Sequence, residues 1–295
     1  MTLADAGIDR AFGGSADGDP GLFGPYSVTW QLHTDPALWI AGVSSLYLQS
    51  LHPLAVAAVV QNSGFREDPV GRLVRTADFV GYTTYGTSDE ANAIAGRVRG
   101  IHRTLRAVDP ISGRRFRIDE PELLLWVHCS QVWSFADVVR RSGFPLTDRQ
   151  LDRYFAEQRR SAELVGLHAD EVPGSLAEMV AYFDETRPLL RRTAESDEVF
   201  EFLRRPPVPW LLARASYYPI GQLGYSMLPR WAIELHGRTP IPQLPAELAA
   251  RSIRTAMLLV PEWLRKAASG ETYPDRAVAR LGPWAAPSLD KMPSR

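Results

Sequence analysis

The segment Leu123-Leu124-Leu125-Trp126-Val127-His128-Cys129-Ser130-Gln131-Val132-Trp133-Ser134-Phe135-Ala136-Asp137-Val138-Val139 decides the fold. It is too long for one strand, and its apolar residues fall on nearly every face of a helix. That pattern predicts a helix buried on all sides, at the centre of the molecule. Asp119 reads as its start, with Glu122 at the capping-box position, and Gly143-Phe144-Pro145 as its stop.

Helical signals continue in both directions. Upstream, Thr87 and Glu90 form a capping box for a helix whose buried face is expected at Ala91, Ile94, Ala95, Val98, Ile101, Leu105 and Val108. Before it, Asp68-Pro69 opens a helix that Gly86 closes. This one carries an apolar face (Val70, Leu73, Val74, Ala77, Val80) and a second stripe of Arg72, Thr76, Phe79 and Thr83, with Arg75 alongside. Asp35-Pro36 introduces a buried run from Ala37 to Leu51. Pro53 then predicts a kink, or a new helix to about Gln61. Downstream, helices are expected near 147–166, 175–187 and 246–268. Pro206-Pro207-Val208-Pro209 reads as a break, and 210–235 as an apolar, aromatic stretch. Strand signals are confined to Val28-Thr29-Trp30 and Arg115-Phe116-Arg117-Ile118. The expectation is an all-α, single globular multi-helix domain. It comprises a flexible leader (1–25), a core (26–205), C-terminal helices packing on that core (206–281) and a loose tail (282–295).

The charge balance narrows the partners. With 33 basic and 34 acidic residues there is no cationic excess to hold a polyanion, so no nucleic-acid partner is expected. Arg97, Arg99, Arg103 and Arg106 cluster locally and read as a solvated face. The single cysteine, Cys129, sits in an apolar run and reads as packing; a lone thiol fits a cytoplasmic setting. The N-terminus lacks the pattern of a signal peptide, and no apolar run is long enough for a transmembrane segment. The 210–235 stretch reads as core first, a homodimer face second and a membrane-facing patch third.

Three histidines, His52, His102 and His128, fall in segments expected to be buried. His102 lies four residues after Val98 and three before Leu105, so it faces the core with them and needs a partner. A backbone carbonyl is one answer and a metal another. The His-x-x-x-His spacing of zinc enzymes is missing, and so is Cys-x-x-Cys-His, the attachment motif of covalent haem c. Non-covalent haem b asks for one histidine, an apolar slot and cations for its propionates, all of which this sequence can supply. Arg72, Arg75 and Thr76, at i, i+3 and i+4, place two cations and a hydroxyl on one patch. That patch suits a propionate or a distal ligand site, or else is a wet polar stripe. No Gly-x-Ser-x-Gly elbow, dinucleotide fingerprint or Walker loop is present.

An ordered set of motifs then resembles the family of MpaB oxygenases and latex clearing proteins. The set runs Trp30-Gln31-Leu32-His33-Thr34-Asp35-Pro36-Ala37-Leu38, Leu48-Gln49-Ser50-Leu51-His52-Pro53, Phe65-Arg66-Glu67-Asp68-Pro69-Val70-Gly71-Arg72-Leu73-Val74-Arg75-Thr76, Tyr85-Gly86-Thr87, Val98-Arg99-Gly100-Ile101-His102 and Pro121-Glu122-Leu123-Leu124-Leu125-Trp126-Val127-His128. Together these cover about residues 28–205. The resemblance implies a helical fold with a globin-like buried haem pocket, haem b as cofactor and His102 as the axial ligand of the iron. Arg72, Arg75 and Thr76 would line the distal and propionate side. It implies an oxygenase that uses dioxygen, an electron donor of unknown kind and a hydrophobic, isoprenoid-like or other apolar substrate. Two departures argue against rubber cleavage: the second basic residue is Arg75 where rubber-cleaving members carry lysine, and residues 52–62 contain no carboxylate to act as base. The alternatives are a haem peroxidase or hydroxylase, a non-enzymatic haem or lipid carrier, and a haem-free protein with His102 in its core. Trp126, Trp133 and Phe135 are expected as pocket walls.

Overall fold

The computed structural model describes residues 18–62, 64, 66–206, 211–261, 263–264 and 270–293. In chain order its helices are α1 (Val28–Leu32), α2 (Leu38–Gln49), α3 (Pro53–Asn62), α4 (Pro69–Tyr85) and α5 (Ser88–Thr104). A hairpin of β1 (Arg106–Val108) and β2 (Arg115–Arg117) follows. Then come α6 (Pro121–Arg141), α7 (Asp148–Val165), α8 (Leu176–Thr186), α9 (Ala194–Arg204), α10 (Leu211–Ser226), α11 (Arg230–His236), α12 (Gln243–Leu259) and α13 (Tyr273–Leu281). The mostly-α class expected from periodicity is what forms.

Helix α6 is the axis. Trp126, Cys129, Val132, Ala136, Val138 and Val139 are almost wholly buried, so they occupy several faces of the helix at once. At roughly 1.5–3 kcal/mol per large apolar side chain removed from water, this helix anchors the core. Its main neighbour is α2, and α10 also packs on α2. The α2–α10 approach needs Gly224, because a Cβ there would meet Val43 Cγ1 at 2.8 Å. The 210–235 stretch is core in part: Leu223, Tyr225, Met227, Leu228 and Ala232 are buried, while Tyr218, Pro219 and Arg230 are exposed. Helices α2 and α3 meet at 108°, the break that Pro53 predicts. Among the described residues no single helix is long and apolar enough to cross a membrane.

Local signals hold where the chain satisfies itself. Asp68 caps α4 by accepting the Gly71 N–H, and Thr87 and Glu90 close a reciprocal capping box on α5. Other expectations are corrected. Val28-Thr29-Trp30 is helical, not extended. Ser27 accepts the Trp30 N–H while the Glu157 carboxylate, from α7, accepts the N–H groups of Val28 (3.2 Å) and Thr29 (2.9 Å). Asp119 does not start α6; it is held by Arg117, and the helix begins at Pro121 without a side-chain cap. Helix α5 ends at Thr104, so Val108 lies in a strand and is exposed, as are Ile101 and, on α4, Val74. Val70 lies outside the side chains described. Trp126 is solid core, donating to the Gln49 carbonyl at 3.1 Å, rather than a pocket wall.

Both ends of the described chain are tied down. Asp19 accepts from the backbone N–H and hydroxyl of Ser88, while residues 1–17 of the expected leader lie outside the described residues. The expected loose tail is instead pinned through Pro293. Trp30 Nε1 donates to Ala285 O (3.2 Å), Ser288 N to Gln31 Oε1 (2.7 Å) and Gln150 Nε2 to Pro293 O (3.0 Å). Residues 207–210, the heart of the Pro-rich break, also lie outside the described residues.

Candidate functional site

Helices α4 and α5 form an antiparallel pair that sits beside the core. α5 leans on α7, and α4 on α1 and α13. Few of their residues are buried. α5 buries only Ala91 and Ala95, while Ile94, Val98 and His102 are half-covered. On α4, Arg72, Leu73, Ala77, Phe79 and Val80 are half-covered too. Both helices thus carry a half-covered stripe that is apolar save for Arg72 and His102.

His102 lies near the C-terminal end of α5. Among the described residues neither of its ring nitrogens has a hydrogen-bond partner. Burial holds the imidazole below the usual histidine range, opposed by Asp119 and assisted by the Arg72 cation. Arg72, on α4, is half-buried and faces no carboxylate within ion-pair distance among the described residues. Burial and the neighbouring Arg75 draw its guanidinium down from the ordinary value. A neutral imidazole and an uncompensated cation therefore stand within each other's field, on facing helices.

The other two expected site residues are placed differently. Arg75 is 61% exposed and pairs with Asp68 at 3.0 Å. Asp68 is the residue that caps the helix, so one carboxylate serves both purposes. Thr76 is exposed, and its hydroxyl donates to the Arg72 carbonyl at 3.0 Å, a bond within its own helix. Arg72 and His102 are brought together; Arg75 and Thr76 are turned outward from them.

The remaining histidines separate by what they touch. His52 accepts the Ala55 N–H at 3.4 Å as a start to α3, and His236 meets the Tyr47 carbonyl at 3.1 Å; both are structural. His33, not singled out in the sequence, joins three elements. Its Nδ1 lies 2.8 Å from Thr84 Oγ1 and its Nε2 3.0 Å from Tyr154 OH, with its ring edge against Phe135 of α6. No local motif could reveal it, since its partners lie 51 and 121 residues away. His128 stands seven residues before Phe135, on the same face of α6. Through His33, that face is linked at Phe135 to Thr84 of α4. The His128 Nε2 is buried with no hydrogen-bond partner among the described residues, and burial pulls the ring down to about 4.

Residues 30–260 match the family described as ER-bound oxygenase mpaB/B′/rubber oxygenase, catalytic domain. The chain belongs to this family. The matched span runs from α1 through α12 and so contains Arg72, His102 and His128, while α13 and the pinned tail fall outside it. No curated protein and no solved structure matches the chain. As a member of an oxygenase family, the chain has its catalytic domain in the helices just described. Among the described residues no cluster of three or more His, Cys, Asp or Glu could hold a bare metal ion.

Proposed function

We propose that this family member is a haem b-dependent oxygenase that acts with dioxygen on a hydrophobic small molecule, with His102 as the protein ligand to the iron. The observation that carries the reading is the pair on α4 and α5: an imidazole without a hydrogen-bond partner beside an uncompensated, half-buried guanidinium. The residues fit the group. A porphyrin brings its own in-plane nitrogens and asks the chain for one axial ligand, apolar walls and a cation for its propionates. His102, the half-covered stripe of Leu73, Phe79, Val80, Ile94 and Val98, and Arg72 answer these in turn.

When bound, haem b supplies an iron that binds and activates dioxygen. The chain's own part follows from its charges. His102 is neutral at physiological pH, so its lone pair is not lost to a proton. Arg72 supplies charge-assisted hydrogen bonds to a carboxylate, contacts worth roughly 1.5–3 kcal/mol. The apolar stripe excludes water and accepts an isoprenoid-like or other apolar substrate. Arg75, paired with Asp68, stays a cation and does not take the place of a ligating lysine.

The test is an absorption spectrum of protein expressed with a haem precursor, followed by acid–organic extraction. About one extractable haem b per chain is expected. Arg72→Ala should lower occupancy while the far-ultraviolet helical signal is kept. Protein with no Soret band under these conditions would overturn the reading.

A further inference from the structure

We propose that the C-terminal end of α12, with Trp263 and Leu264 just beyond it, inserts into the surface of a lipid bilayer. This contact goes beyond the oxygenase reading and needs neither haem nor turnover.

The first part of α12 belongs to the body of the molecule. Ala246 and Ala250 are buried. Arg251 donates to the Arg141 carbonyl at 2.9 Å and Arg254 to the Asp35 carboxylate at 2.7 Å, which ties the middle of the helix down. The next five residues, Thr255, Ala256, Met257, Leu258 and Leu259, are all exposed, Leu259 at 77%. Successive residues turn by about 100°, so five in a row point in every direction around the axis. A helix lying on a protein covers a residue at every third or fourth position, and this segment covers none. Among the described residues the end of α12 therefore stands clear of the rest.

Its composition is the reverse of what water selects. From Thr255 through Pro261 there is no charged residue. Trp263 is 71% exposed, and Leu264 after it is exposed too. Exposed leucines scattered singly are ordinary, but these follow one another in the chain. The directions of the side chains select the occupant. Met257 and Leu259 diverge by about 160°, so a folded partner lying against one side of the helix leaves the other in water. A bilayer surrounds the segment and covers both. Five residues rise roughly 7–8 Å, within the roughly 5–10 Å that interfacial segments sink into the headgroup and acyl boundary. Tryptophan suits that boundary, with an apolar ring and one N–H donor. In the sequence Arg251 and Arg254 precede the apolar run and Arg265 and Lys266 follow it, against the single acid Glu262, so its flanks favour anionic headgroups. The exposed segment is too short to cross the bilayer, and the contact is peripheral. The family match stops at residue 260, so Trp263 and Leu264 are features of this chain beyond it.

The purified full chain is floated with vesicles of phosphatidylcholine and phosphatidylglycerol. Wild type is compared with Leu258→Asp, Leu259→Asp and Trp263→Phe, and with Ile111→Asp, which removes an exposed apolar residue from the turn between β1 and β2. Wild type should float. Each aspartate at position 258 or 259 should lower partitioning roughly tenfold or more, with the helical signal unchanged. Ile111→Asp should float like the wild type. Trp263→Phe should still float, but brominated lipids, which should quench part of the wild-type tryptophan fluorescence, should quench it far less. Wild type that stays with the soluble fraction overturns the proposal, as do aspartate variants that float like the wild type, or equal quenching of Trp263→Phe and wild type. Light scattering supplies the remaining outcome: a wild-type dimer that Leu259→Asp converts to monomer gives the patch to a second copy and overturns the bilayer contact. Haem-free protein that floats as expected sinks the haem reading alone, and haem-loaded protein that does not float sinks the bilayer contact alone.

Discussion

Acid should unfold this protein through its histidines, and the size of the effect follows from their burial. His33 is held down to about 3 and His52, His128 and His236 to about 4, in each case by desolvation first. In the unfolded chain each returns to its ordinary value near 6.5. Between that value and about 4 the unfolded state binds protons that the folded state refuses, so stability falls as pH falls. At about pH 5 each buried imidazole costs about 2 kcal/mol, and the four together on the order of 8 kcal/mol. That is comparable with the whole stability of a typical domain, roughly 5–15 kcal/mol. Asp35 and Asp137 oppose the trend, because burial raises both and they take up protons in the folded state first. The assay is the urea midpoint by circular dichroism from about pH 7.5 to 5. Stability should drop steeply over that window. His128→Leu should recover about 2 kcal/mol of the loss, since it removes one of the protons bound on unfolding. A midpoint that stays flat across the window, or a His128→Leu curve parallel to the wild type, would refute the reasoning.

Replacing His102 by alanine should abolish haem binding with the helical signal intact, whereas His128→Ala should keep haem and lose stability; spectra and melting curves of the two variants separate the roles, and the reverse pattern would move the ligand to His128. Arg75→Lys should leave the spectrum of the loaded protein unchanged, because Asp68 holds position 75 at the surface; a new six-coordinate, low-spin component would place it at the iron instead. Glu157→Gln should cost about 1–3 kcal/mol in chemical denaturation. The amide would present hydrogens where the carboxylate now accepts from Val28, Thr29 and Arg153, and a neutral result would mean that α1 does not depend on this cap.

What could be read from the sequence is what the chain settles within a few residues. Asp68-Pro69 starts α4, and Thr87 with Glu90 starts α5, because donor and acceptor lie within one turn. The all-round apolar run of α6 can only be a central helix, since no other placement removes its faces from water. Helical spacing aligns His102 with Val98 and Leu105, all three half-covered in the folded chain, whereas Arg72 and Thr76 share a stripe of which only Arg72 is covered. Contacts between distant segments required the folded chain. Val28-Thr29-Trp30 has strand-forming residues and becomes helix because Glu157, more than a hundred residues later, takes its first N–H groups. Arg75 shares the spacing of Arg72, yet Asp68 draws it to the surface, a choice between two rotations of one side chain that periodicity leaves open. His33 gains its partners only when α4 and α7 close around it. The facing arginines of the hairpin appear only once the strand register is set, because period-two alternation says which side chains share a face but not which strand lies opposite.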